Sequence, residues 1–164
     1  LFRSDEDDQG RALIIDYKGA IGNSGYSVPR PKRATKNKPP EPVDPLPEHS
    51  QVLMYASALQ KASPATRAVG AIYISYNRNR AQGFLDTAIA GKLAASGSYL
   101  DEKNLVEPAE DGSSGFQHLL SYVEDEVASA MDRLRSGDVS PRPRFGANSC
   151  EHCKVNSCPK KKAK

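Results

Sequence analysis

Hydrophobic and polar positions along this chain change period several times, and each change predicts an element. Ala12, Leu13, Ile14, Ile15, Asp16 and Tyr17 form an apolar, β-branched run behind the polar cluster Ser4, Asp5, Glu6, Asp7, Asp8, Gln9 and Gly10, itself preceded by Leu1, Phe2 and Arg3. That order predicts a hairpin with a turn over 4–10, a first strand cut short at Leu1 and a buried second strand. Residues 28–48 hold seven of the twelve prolines. Each fixes φ and removes a backbone donor, so this stretch predicts an extended, mobile insertion, not a helix or inner strand.

Residues 49–62 carry Val52, Leu53, Ala56 and Leu59 at helical spacing, closed by Ser63 and Pro64. Residues 67–76, dense in β-formers, predict a buried strand. Phe84, Leu85, Ala88, Ile89 and Leu93 suggest a further helix ending near Gly97, and 96–114 reads as loop. Phe116, Leu119, Leu120, Val123, Val127, Ala130, Met131 and Leu134 describe a long amphipathic helix stopped by Gly137, before a Pro- and Cys-containing tail. The expected class is α/β.

Composition adds modest limits. The 164 residues suit one domain with a single core, and 38% hydrophobic residues with a mean hydropathy of -0.61 make that core lean. No apolar run approaches the length of a membrane span, so no membrane association is expected. The chain starts at Leu1 without a secretory signal, and a fragment of a longer protein is the expectation. The net charge of +3 hides a sharp division. Lys160, Lys161, Lys162 and Lys164, with Arg30, Lys32, Arg33, Lys36 and Lys38, hold nine positive charges, and the remainder is near −6. Either basic segment could attract phosphate, although solvated chain is the commoner role of such runs.

Three places could carry chemistry. Asp16 and Lys18 are two apart on the apolar strand, so both leave the same face and set a carboxylate beside an ammonium. A hard cation such as Mg²⁺ takes carboxylate oxygens while keeping waters, and a nearby lysine can steer the water that attacks a phosphodiester; a plain ion pair at a strand end is the simpler alternative. Gln51 and Tyr55, four apart on the predicted helix, share a face. Cys150, Cys153 and Cys158 are crowded enough to suggest a zinc or cluster site in a reducing compartment, hence a cytoplasmic protein. Such a site wants four ligands; His152, His49 or His118, or a cysteine upstream of Leu1, could supply the fourth.

The ordered combination is more specific than its parts. A strand with Ile14-Ile15-Asp16-Tyr17-Lys18-Gly19, a helix with Gln51 and Tyr55, a strand, a long helix and a Cys-x2-Cys-x4-Cys-Pro end resemble the PD-(D/E)xK nuclease domain of the RecB/AddB helicase–nuclease type. The resemblance covers most of the chain except the Pro-rich insertion and residues 80–112.

The resemblance implies a restriction-endonuclease-like core, a mixed central sheet flanked by helices, over 1–145, with a tail over 146–164. It implies a Mg²⁺- or Mn²⁺-dependent deoxyribonuclease, an exonuclease, joined to a helicase or helicase-like partner in double-strand break repair and recombination. Asp16 would bind metal, the Tyr17 carbonyl would complete the metal sphere, Lys18 would be the catalytic lysine, and Gln51 and Tyr55 would position the DNA or the active site. Cys150, Cys153 and Cys158 would be three ligands of a [4Fe–4S] cluster. A second metal-binding acid and the fourth cysteine would lie upstream of Leu1, with Asp5, Asp7 and Asp8 poor replacements in the turn. An isolated fragment is therefore expected to be inactive and without an intact cluster. The alternative is a noncatalytic DNA-binding or interaction module with a zinc-binding Cys tail.

Overall fold

A computed structural model of the chain describes residues 2–22, 25–29, 44, 46–91, 100–141, 150, 153–155 and 158. Most of the Pro-rich insertion, including the basic positions 30–38, and Lys160, Lys161, Lys162 and Lys164 lie outside the described residues, as does His152. The chain comprises two units, residues 1–125 and 126–164.

The first unit is built on a five-stranded mixed sheet: β1 (Phe2–Glu6), β2 (Arg11–Lys18), β3 (Arg67–Ser75), β4 (Arg80–Asp86) and β5 (Leu105–Val106), in that spatial order. Pairing runs antiparallel from β1 to β2, parallel to β3, antiparallel to β4 and parallel to β5. Helix α1 (Gln51–Ala62) lies between the parallel strands β2 and β3 in sequence, and helix α2 (Gly115–Arg135) follows β5. This is the α/β, restriction-endonuclease-like mixed sheet with helices.

The two faces of β2 explain its unbroken apolar run. Ala12 and Ile14 face one way, into a core completed by Val52, Leu53 and Ala56 of α1, Tyr73 of β3, Phe84 of β4, and Phe116, Leu119, Leu120 and Val123 of α2. Ile15 faces the other way, with Val69, Ile72, Leu85 and Ile89. A strand buried on both sides loses the apolar–polar alternation that a half-exposed strand shows. The bulge that puts Val69 between the partners of Ala12 and Leu13 keeps β3 matched to both faces.

Three expectations need correction. The turn is shorter than expected: β1 runs through Ser4, Asp5 and Glu6, and the turn is confined to residues 7–10. Arg3, Ser4, Asp5 and Glu6 are exposed on an edge, so no burial imprinted an apolar pattern on them. The helix expected from Phe84 is instead the end of β4 followed by a 3₁₀ turn, Thr87–Ile89. Phe84 and Leu85 are both wholly buried, on opposite faces, and a short doubly buried strand has the same apolar density as a helix. The expected loop over 96–114 contains a 3₁₀ turn, Glu102–Asn104, and strand β5; residues 92–99 lie outside the described residues. Where β3 and β4 meet, a Cβ on Gly83 would stand 2.4 Å from the Ala71 carbonyl oxygen and 2.6 Å from the Ile72 Cα, so only glycine fits.

The long helix matches its expectation, and Gly137 ends it. With φ at 79°, Gly137 sends its N–H to the Leu134 carbonyl while Asp138 reaches back to that of Arg133, the two bonds of a Schellman cap. In the second unit Cys150 and Cys158 are partly exposed, Cys153 is exposed, and the Cys153 amide donates to the Cys150 carbonyl at 3.3 Å.

Candidate active site

The β2 backbone sets out the first half of the site. Asp16 and Lys18 leave the same face, as their spacing predicts, and Lys18 Nζ lies 2.8 Å from Asp16 Oδ2. The Asp16 side chain is only 5% exposed, against 33% for Lys18. Despite the ion pair, Asp16 Oδ2 is a buried oxygen without a hydrogen bond of proper geometry among the described residues. A buried carboxylate held by an ammonium alone has lone pairs still to satisfy.

The second half comes from the first turn of α1. Lys18 Nζ donates to Gln51 Oε1 at 2.8 Å, and Gln51 Nε2 donates to the Tyr55 hydroxyl. The lysine, having no acceptor, fixes the amide with its oxygen toward the ammonium and its NH₂ toward the phenol. Asp16, Lys18, Gln51 and Tyr55 thus form one polar chain across two elements that are 33 residues apart at the Lys18–Gln51 link. Tyr17, between the two charged residues, is 44% exposed, alternation placing its side chain on the other face, and its backbone pairs with Ile74.

A residue without a role in the sequence-based expectations holds these halves together. Tyr73 lies beside Asp16 in the β2–β3 register and is completely buried. Its hydroxyl accepts the Val52 amide at 3.0 Å and donates to the His49 carbonyl at 3.2 Å. Helix α1 has no side-chain cap from Ser50, so the phenol from the sheet satisfies an amide that the helix start leaves without a partner. Lys18 Nζ stands 5.7 Å from the centre of the same ring, within cation–π range. Burial, and secondarily the Asp16 charge, pushes the Tyr73 phenol from its ordinary 10.0 up to about 12, keeping it neutral beside the carboxylate. Tyr26 stacks on His49 at 3.9 Å and meets Tyr73 edge-on at 5.1 Å. An isolated tyrosine in a β-rich run reads as core, which is why this one passed unnoticed.

Asp5 and Asp7 have partners of their own. Asp5 stands opposite Leu13 in register and pairs with Arg3 at 2.6 Å, while Asp7 receives both Nε and Nη2 of Arg11. The histidines named as zinc ligands have other contacts: His49 is in the Tyr26 stack and His118 Nε2 lies 2.7 Å from Ser113 Oγ. Among the described residues no group of three or more His, Cys, Asp and Glu side chains could hold a metal. Asp16 nevertheless suits Mg²⁺, which is held by one or two carboxylates and fills its remaining positions with water and substrate phosphate. No helix among the described residues is long and apolar enough to cross a membrane.

No curated protein and no solved structure matches the chain significantly. A family model does: residues 3–159 match the PD-(D/E)XK nuclease superfamily, a span that contains the whole Asp16–Lys18–Gln51–Tyr55 chain. The protein belongs to the PD-(D/E)XK nuclease superfamily.

Proposed function

We propose that this nuclease domain hydrolyses DNA phosphodiesters with Mg²⁺ or Mn²⁺ as an exonuclease of the RecB/AddB type, working beside a helicase or helicase-like partner in double-strand break repair and recombination. The observation that carries the reading is the hydrogen-bonded connection from the Asp16–Lys18 pair to Gln51 and Tyr55. A structural ion pair at a strand end has no need of an amide and a phenol from another element.

Asp16, with the Tyr17 carbonyl, would hold the metal, which when bound supplies Lewis-acid polarisation of the phosphoryl group and a more acidic water. Lys18 donates to Gln51 and faces Asp16 as an ion pair, leaving a donor for a non-bridging phosphate oxygen on which charge develops. Gln51 orients that ammonium, and Tyr55 orients Gln51. A second carboxylate is expected from residues preceding Leu1. In the β1–β2 register Phe2 stands opposite Asp16, so a continuing strand would pass Lys18. Cys150, Cys153 and Cys158, with one further cysteine, would hold a [4Fe–4S] cluster.

The test is cleavage of linear DNA with Mg²⁺ by the chain extended upstream into its natural sequence. Cleavage is expected there and not in the isolated chain, with at least about a hundredfold loss of rate in Asp16→Asn and Lys18→Ala. Undiminished cleavage by either variant would reject the assignment. The noncatalytic reading draws on a single observation, the absence of a three-ligand group at Asp16 among the described residues. DNA binding without cleavage by the extended chain would favour it. Iron and sulfide analysis of the anaerobically purified extended protein separates a cluster from zinc.

A further inference from the structure

We propose that a basic cleft beside the β3–β4 turn binds the phosphate backbone of the nucleic acid, flanking the bond cleaved at Asp16 and Lys18; this rests on the nuclease reading above. The cleft measures about 570 Å³ and is lined by Arg78, Arg80, Gln82, Lys103, Asn104 and Asp101, among others. Three cations against one carboxylate give its wall a net positive charge, whereas the chain outside its two basic segments is acidic. The concentration of positive charge is local and lies on β4 and the turns that flank it.

Sheet register places the cleft relative to the site. Lys18 pairs with Ser75, and Ser75 pairs with Arg80, so the three residues form one row across β2, β3 and β4. The next row on the same face is Asp16, Tyr73 and Gln82. Directly opposed residues share a face, so Arg80 and Gln82 project from the face that carries Asp16 and Lys18. Two strand spacings separate Lys18 from Arg80, about 10 Å between Cα atoms, or about three nucleotide rises of a duplex strand. A strand lying across the sheet ends would therefore meet the ammonium of Lys18 and then the guanidinium of Arg80.

Two further features suit a polar ligand. Gln82 Oε1 is buried without a hydrogen-bond partner among the described residues, an unmet group in the cleft wall. Turned toward the cleft, its amide would offer NH₂ to a phosphate oxygen. Asn104 donates to the Gly83 carbonyl at 3.2 Å, and a capping box between Asp101 and Asn104 fixes the Lys103 turn beside β4. The cationic positions therefore stand on defined backbone on both sides of the cleft.

The experiment measures binding, not cleavage. Labelled duplex and single-stranded DNA are titrated with the full chain in EDTA between about 50 and 200 mM salt. The Arg78→Ala/Arg80→Ala/Lys103→Ala variant is expected to lower the slope of log affinity against log salt by about 2 to 3 on duplex or about 2 on single strands, and to weaken binding at least tenfold. Arg133→Ala, on α2 of the second unit, is expected to leave the slope unchanged. Circular dichroism checks the fold of each variant. Unchanged slope and affinity on both DNA forms would overturn the proposal, as would weaker binding at an unchanged slope. Asp16→Asn separates the two readings: it is expected to abolish cleavage in the extended chain while retaining the wild-type slope.

Discussion

Tyr73 shows how much one side chain can determine at the residue scale. Its hydroxyl joins the sheet to the start of α1, and its ring faces the ammonium of Lys18. Tyr73→Phe keeps the ring but leaves the Val52 amide without its acceptor, and is expected to cost about 1 to 2 kcal/mol in denaturant unfolding. The phenol is raised in the folded state, so it adds stability below its ordinary 10.0 that disappears as pH rises toward about 12. Over that interval the unfolded chain loses the proton and the folded chain keeps it, and the wild type is expected to lose on the order of 2 to 3 kcal/mol. Tyr73→Phe should lack that alkaline component. Gly83→Ala is predicted to be the more damaging change, about 3 kcal/mol, because the clashing atoms are backbone that cannot rotate away.

Between elements, the two helices are tied by a carboxylate. Glu124 of α2 accepts from Ser57 of α1 and pairs with Lys61 at 2.8 Å, and these contacts, Lys61 first, hold its carboxyl below the ordinary 4.5. A depressed carboxyl contributes stability that is present above its ordinary value and is lost as pH falls through its folded value. Glu124→Gln is expected to cost less than about 1 kcal/mol at neutral pH, with the difference from wild type closing under acid. Thermal melts at both pH values check this. At this scale the sequence was legible wherever an element has one buried side: α1 and α2 carry 3.6-residue spacing, and Asp16 with Lys18 follows from strand alternation. It was illegible for β4, a short strand buried on both faces, and for the far end of β1, where the exposed Ser4, Asp5 and Glu6 read as turn. Nothing local could reveal that Tyr73, 18 residues beyond Tyr55, stands next to Asp16, because that adjacency comes from parallel pairing of β2 and β3.

For the whole molecule, the position of the Pro-rich stretch has a consequence for change over time. Its flanks are anchored: Tyr26, Val28 and Leu46 pack on the core, Tyr26 against His49 and Tyr73. The strands and Tyr73 already fix Lys18 relative to Gln51, so the chain between them need not set their separation. Closing a longer loop adds only about 0.6 kcal/mol per doubling. Replacing residues 31–42 by a short Gly/Ser bridge is expected to shift stability by about 1 kcal/mol or less, measured by denaturant unfolding. Sequence between those anchored flanks can thereby be gained, lost or exchanged with little penalty, so related domains can diversify there without rebuilding the centre that cuts.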